Sequence, residues 1–207
     1  ALAAITEKSV VLWQNELLSK ELSDVYINKI DTIFRTIYKY GAKRCGIMAN
    51  PFEGVEKIGK ARSKSLTFWT YDQYSAFIKL IENPTTHMAF QILYFTGIRI
   101  GELFALTAED INLAEGVMHI TKSLQRMERQ DVITPPKTEK GIRDITLPAF
   151  LTKELENYMA MIYDCNSETR IFGMSKQSLY YPMKKYAEQA GIPRIRIHDF
   201  RHSHVAL

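Results

Sequence analysis

Only two cysteines occur among the 207 residues, Cys45 and Cys165, far apart and in no CxxC pattern. That excludes a disulfide scaffold and a cysteine-based structural zinc site, and a reducing compartment is the expectation. The longest stretch free of Asp, Glu, Lys and Arg runs from 83 to 98 and still contains Asn, Pro, Thr, His, Gln and Gly. It is too short and too polar to span a bilayer, and no secretory signal is recognisable. A large charge imbalance is also missing: 27 Lys and Arg stand against 23 Asp and Glu, a net charge of +4. With 46% hydrophobic and 24% charged residues the composition is ordinary for a globular protein, which excludes disorder as the main theme. The length suits one large domain or two small ones.

The charge that is present is unevenly spread. Residues 1–65 carry eleven Lys and Arg against seven Asp and Glu, whereas residues 66–207 carry sixteen of each. The basic excess peaks at Lys57, Lys60, Arg62 and Lys64, among Gly54, Gly59, Ser63 and Ser65 and after Asn50-Pro51. The apolar residues there follow neither period, so 55–66 reads as a basic linker, or more plainly as a solvated loop. It separates a helical domain, 1–54, from a mixed domain, 67–207. The chain begins at Ala1 and ends at Leu207 within a helical pattern, and is expected to be a piece of a longer protein at both ends.

Val10, Trp13 and Leu17 recur with a helical period, as do Ile27, Ile30, Phe34 and Ile37 after Ser23, a plausible N-cap. A weaker signal suggests a third short helix before Asn50. In the second domain Thr70 and Gln73 form a capping-box pattern ahead of Tyr74, Phe77, Ile78 and Ile81. Met88 to Phe95 is apolar nearly all round, which predicts a buried helix ending at Gly97. Residues 117–121, 130–134 and 143–147 read as strands of a small antiparallel sheet, with Pro136-Lys137-Thr138 in the turn joining the last two. Helices are expected over 151–162 and after Ser175, the latter carrying Leu179, Met183, Tyr186 and Ala190 and ending at Gly191. Tyr180 and Tyr181 read as packing on that helix. The fold class is mainly α with a small antiparallel β-sheet.

Three segments could carry chemistry. In Thr96-Gly97-Ile98-Arg99-Ile100-Gly101-Glu102 an arginine sits between two glycines beside a buried helix. A guanidinium held on such a turn is well placed to meet a phosphate; the plain alternative is surface pairing with Glu102. Lys137 on its turn could reach a ligand or be simply solvated. His198 and Arg201, three apart at a helix start, share a face, joining a group that exchanges protons near neutral pH to a permanent cation. Phe200 is expected in the core. A rival use of that segment is zinc binding by His198 and His202, spaced i and i+4.

Together, in this order and spacing, the Arg99 box with Leu106, Asp110 and Ile111, the Pro136-Lys137-Thr138 turn and His198-Asp199-Phe200-Arg201 resemble the tyrosine recombinase, or phage-type integrase, family. The Asn50-Pro51 exit and the basic linker are similar to the end of that family's core-binding domain. Within the family the resemblance leans toward integrases of conjugative transposons and phages of Gram-positive bacteria.

The resemblance implies a site-specific DNA recombinase. Arg99 and Arg201 would be its two catalytic arginines, Lys137 the hairpin lysine, His198 the histidine of the His/Arg motif and Glu102 the acid that orients the site. Lys57, Lys60, Arg62 and Lys64 would lie along duplex DNA. In such enzymes a tyrosine forms a 3′-phosphotyrosine bond with DNA and needs no metal or ATP. The absence of an acidic cluster and of a Walker-type glycine loop agrees with that. Double-stranded DNA is the implied partner, with self-association into a synaptic tetramer in the full-length protein, no membrane, and a cytoplasmic, nucleoid-associated location. The family's second His or Trp and its nucleophilic tyrosine follow the His/Arg motif at a distance this chain does not reach. The chain by itself is therefore expected to make no covalent cleavage. The alternative is a non-catalytic DNA-binding module of a recombinase-like regulator.

Overall fold

The structure, a computed structural model, describes residues 2–60, 67–128, 130–136 and 141–207. The chain divides into two compact units, Ala1–Ser65 and Leu66–Leu207.

The first unit is helical. Helix α1 (Glu7–Leu18) starts at Thr6, whose hydroxyl accepts the Ser9 amide at 3.2 Å. Helix α2 (Asp24–Arg44) starts at Ser23, the predicted cap, which accepts the Tyr26 amide. The buried face of α2 is Ile27, Asp31, Tyr38 and Ala42. The apolar period had placed Ile37 on that face, but Ile37 is 61% exposed and Tyr38 takes its place. One position is about 100° of helix rotation, and Asp31 occupies the position where an apolar residue would have fixed the phase. The core is aromatic: Phe34 packs edge-on against Trp13 and Phe52, with ring centroids 4.7 and 5.2 Å apart. The short helix expected just before Asn50-Pro51 is not formed among the described residues; the backbone leaves α2 at Cys45.

Asp31 is fully buried and fully used. Its carboxylate accepts Gln14 Nε2 at 2.9 Å and Arg35 Nε at 2.8 Å. A buried carboxylate is tolerable only when paired and hydrogen-bonded in this way. The same two donors continue outward, Gln14 to the Glu56 carbonyl and Arg35 to the carbonyls of Val55 and Glu56. Asn28 adds a bond to the Ile58 carbonyl, and the Lys60 amide donates to the Asp24 carbonyl. The segment expected as a linker, 55–66, is described only to residue 60, and those six residues are anchored to α1 and α2.

The second unit is built around α4 (Pro84–Thr96), buried on nearly every side. Thr70 and Gln73 form the predicted capping box at the start of α3 (Tyr71–Ile78). Asn83 caps α4 by accepting the Thr86 amide at 2.9 Å, with Pro84 preset for the first turn. Gly97 ends α4 in the left-handed conformation, φ 60°, and α5 (Ile100–Ala105) follows at once. Then come β1 (Ile111–Asn112), β2 (Val117–Ile120), β3 (Ser123–Met127), β4 (Gln130–Thr134) and β5 (Arg143–Thr146), and helices α6 (Ala149–Met159), α7 (Gln177–Gln189) and α8 (Phe200–Val205).

Two strands had escaped the sequence pattern. β1 is two residues long, and β3 reads Ser-Leu-Gln-Arg-Met, too polar to announce itself. Their presence changes the pairing. The strands form an antiparallel sheet in the order β1-β2-β5 and a separate hairpin of β3 and β4. The expected hairpin between the 130–134 and 143–147 strands is therefore not formed. Thr134 faces Ser123 and Arg143 faces Ile120, so β4 and β5 belong to different sheets. On α7 the buried residues are Leu179, Met183 and Ala187, while Tyr180 and Tyr181 face solvent, against expectation.

Helix α8 is short, and tertiary bonds hold it. Phe200 is 1% exposed and stacks on Phe90 at 5.4 Å. The Trp69 amide donates to Ser203 Oγ at 3.0 Å, and the indole N–H donates to the Pro193 carbonyl. These anchors fix the direction in which Arg201 leaves the helix.

Candidate active site

The Arg99 box is a tightly packed turn held from several sides. A Cβ on Gly97 would lie 2.6 Å from the His204 ring, so the glycine supplies both the positive φ and the room for a side chain of α8. A Cβ on Gly101 would lie 2.6 Å from Ser123 Oγ and 2.9 Å from the Leu124 carbonyl oxygen, so α5 presses directly on β3. Nδ1 of His204 is buried without a hydrogen-bond partner among the described residues.

Arg99 is the N-cap of α5, and Glu102 answers it from the first turn. Glu102 is 3% exposed; its Oε2 accepts the Arg99 amide at 2.8 Å and its Oε1 accepts Arg99 Nη1 at 2.8 Å. The pairing is therefore not a surface one: a buried carboxylate lies beneath a half-exposed guanidinium. A second arginine reaches the same carboxylate. Arg143, the first residue of β5, donates Nη2 to Oε2 at 2.8 Å and Nη1 to Oε1 at 3.3 Å, and Nη1 also bonds the Gly141 carbonyl at 3.0 Å. Burial pushes the Glu102 carboxyl up. The bonds from Arg143, from the Arg99 amide and from the Arg99 side chain outweigh it and hold the group below the ordinary glutamate range. Sequence reasoning missed Arg143; its only signal is a basic residue opening a strand otherwise made of Asp, Ile and Thr.

Arg201 arrives from α8 and donates Nη1 to the Gly97 carbonyl at 2.8 Å. This places the second arginine against the turn that carries the first. His198 is exposed in the 3-10 turn Ile197–Asp199 that leads into α8. Asp199 is buried there, accepting the Arg196 amide at 2.8 Å and its guanidinium at 2.6 and 3.0 Å, the same device as at Arg99 and Glu102. Burial pushes Asp199 up, and the Arg196 bonds bring it below its ordinary range.

The remaining expected residues divide. Lys137, Arg62 and Lys64 lie outside the described residues. Lys57 and Lys60 belong to the first unit and are exposed; Lys60 Nζ stands 3.6 Å from Asp24. The rings of His198 and His202 are 5.9 Å apart and nearly perpendicular, and no group of three metal-ligating side chains gathers among the described residues. Nothing in that arrangement favours the zinc reading. The Arg99, Glu102, Arg143 and Arg201 cluster can instead hold an anion. One buried carboxylate is shared by two guanidiniums, and Arg201 bonds the turn that carries one of them, which leaves positive charge for phosphoryl oxygens.

Residues 67–206 match the Phage integrase family. The chain is similar to the ICEBs1 integrase of Bacillus subtilis (strain 168), 30% identical over 220 residues that take in 98% of this chain and 59% of the relative. The chain thus spans well under two thirds of that relative's length. In fold it is similar to a Tn1549 transposon integrase in complex with transposon right end DNA. The TM-score is 0.75 at 20% identity, over 97% of this chain and 71% of the other. A lambda integrase dimer bound to a COC′ core site gives 0.63 at 15% identity, over 99% and 73%.

Proposed function

Because the chain belongs to the phage integrase family of tyrosine recombinases, we propose that it is the DNA-clasping and phosphate-activating part of a site-specific DNA recombinase. The observation that carries this is the bond from Arg201 to the Gly97 carbonyl, which brings two arginines from distant segments to one turn. A shared anion accounts for that convergence, and a phosphodiester is the anion a recombinase must activate.

In this reading Arg99 and Arg201 neutralise the non-bridging oxygens of the scissile phosphate as charge accumulates there. Glu102 orients Arg99. Lys137 donates a proton to the departing 5′-oxygen, and His198 assists the transfer. A tyrosine of the full-length protein attacks the phosphorus, a 3′-phosphotyrosine bond forms and the 5′-hydroxyl leaves. That hydroxyl, or one on a partner strand, later attacks the phosphotyrosine and regenerates the tyrosine. The phosphodiester energy is kept in the covalent bond, so no cofactor is required. Lys57, Lys60, Arg62 and Lys64 follow the duplex backbone, residues 1–54 grip the DNA as a core-binding domain with 55–66 as its basic connection, and full-length copies assemble as a synaptic tetramer. The work is done in the bacterial cytoplasm, at the nucleoid.

The test is covalent capture. The full-length protein, incubated with a nicked suicide duplex carrying its site, is expected to give an SDS-resistant, protease-sensitive adduct; the 207-residue chain is expected to give none. Duplex binding without any adduct from the full-length protein would establish a non-catalytic DNA-binding module instead.

A further inference from the structure

We propose that Arg143 is a positioning residue of the phosphate site: it occupies the buried Glu102 carboxylate so that Arg99 keeps its positive charge for the substrate. One carboxylate, 3% exposed, faces two guanidiniums that differ in exposure, 54% for Arg99 and 27% for Arg143. Arg143 spends both terminal nitrogens inward, on Glu102 and on the Gly141 carbonyl. Arg99 spends one terminal nitrogen on Glu102, and its backbone amide serves the other oxygen.

Without Arg143 the arrangement would be a simple ion pair, and an arginine paired one-to-one with a buried carboxylate attracts a phosphate weakly. With Arg143 the pair becomes a triad of net charge +1, and the free charge resides on the more exposed member. Arg143 thus acts on the substrate through Glu102 and Arg99.

Two experiments test this, and only the second rests on the recombinase reading. In the 207-residue chain, inorganic phosphate is titrated while the Arg99 side-chain N–H signal is followed by NMR. Arg143→Gln is expected to weaken phosphate binding at least fivefold. Arg143→Lys, which keeps the charge, should stay within about twofold of the parent. The double variant Glu102→Gln/Arg143→Gln should recover the parent affinity, because no carboxylate then competes for Arg99. If Arg143 touched phosphate directly, the double variant would stay weak, and that result overturns the proposal, as does an unchanged affinity in Arg143→Gln. An Arg143→Lys variant as poor as Arg143→Gln would show that charge is not the point and would overturn it as well. In the full-length protein the rate of adduct formation at saturating duplex should fall in Arg143→Gln and stay closer to the parent in Arg143→Lys, with duplex affinity changing little because only one phosphate contact among many is affected. A wild-type protein that binds duplex yet makes no adduct would refute the recombinase reading and leave the phosphate titration to decide on Arg143.

Discussion

Arg201 and Gly97, 104 positions apart, are joined by a 2.8 Å hydrogen bond from the arginine Nη1 to the glycine carbonyl. Gly97 is the C-cap of α4, so that carbonyl belongs to a helix end whose oxygens lack intrahelical partners. A cation at this end is also favoured by the helix dipole. Arg201 therefore does two things at once. It completes the buried helix, and it brings a permanent positive charge to the turn that presents Arg99.

Gly97→Ala tests the turn. The new methyl would meet the His204 ring at 2.6 Å, and the residue would be held at φ 60°. A non-glycine in that conformation and an overfilled contact together cost roughly 2–4 kcal/mol. For a domain of this size the melting temperature should fall by roughly 5–12 °C. A thermal melt of the 207-residue chain reads it, and a change within a degree would show that α8 can withdraw freely from the turn.

Glu102 gives a pH signature. In the folded chain its carboxyl is held below the ordinary glutamate range, because the Arg143 and Arg99 bonds outweigh burial. Between the folded and unfolded pKa values the unfolded state carries more protons, so stability rises with pH there. The contribution is complete above the ordinary glutamate range and is lost as pH falls through the folded value. Melting temperature should accordingly drop on acidification below that range. Glu102→Gln should flatten the drop without abolishing it, since Asp199 is shifted in the same direction by Arg196. An identical acid limb in the variant would show that Glu102 is not linked to folding.

Local chemistry was legible in the sequence, and long-range pairing was not. Ser23, Thr70 with Gln73, and Gly97 announce helix ends because a cap satisfies its own neighbours. Ile37 was misplaced because the phase of α2 is set by Asp31, a polar core residue whose partners Gln14 and Arg35 are visible only in three dimensions. The strand pairing was misread because β4 and β5 are neighbours in sequence, while β3 lacks the alternation that would have claimed β4 first. Arg99, Glu102, His198 and Arg201 stood out through their spacing. Arg143 did not, since its meaning depends on a carboxylate 41 positions away.

The basic segment predicts a salt dependence. Lys57 and Lys60 are exposed on the first unit. If Lys57, Lys60, Arg62 and Lys64 each meet a phosphate, they contribute about −3.6 to the slope of log affinity against log salt. Duplex binding by the 207-residue chain, measured across a salt series, should be weak and steeply salt-dependent. Replacing the four with Gln should flatten the slope by about that amount. The Lys60→Gln change alone should contribute less than one quarter, because Asp24 already stands 3.6 Å from its ammonium. An affinity indifferent to salt would remove the segment from the interface.

Arg201 separates activation from binding. If Arg201 serves the scissile phosphate as proposed, Arg201→Ala in the full-length protein would remove a preorganised donor, and loss of one such donor costs roughly 2.7–4 kcal/mol of barrier, about 10²–10³ in rate. It also strips the Gly97 carbonyl of its partner, which costs roughly 1–3 kcal/mol of stability. The two effects are read apart by measuring the melt and the adduct on the same preparation. Below the melting transition the folded fraction stays high, so any fall in adduct rate beyond it is catalytic. Duplex affinity should change little, since one charge among many phosphate contacts alters the salt slope by only about one. Arg201→Lys sharpens the distinction: an ammonium can still reach one acceptor, but it cannot hold the Gly97 carbonyl and a phosphate oxygen with the fixed fork of a guanidinium. It should recover much of the melting temperature and little of the adduct. Recovery of both would mean that Arg201 contributes only charge, and the pairing with Gly97 would then have no part in catalysis.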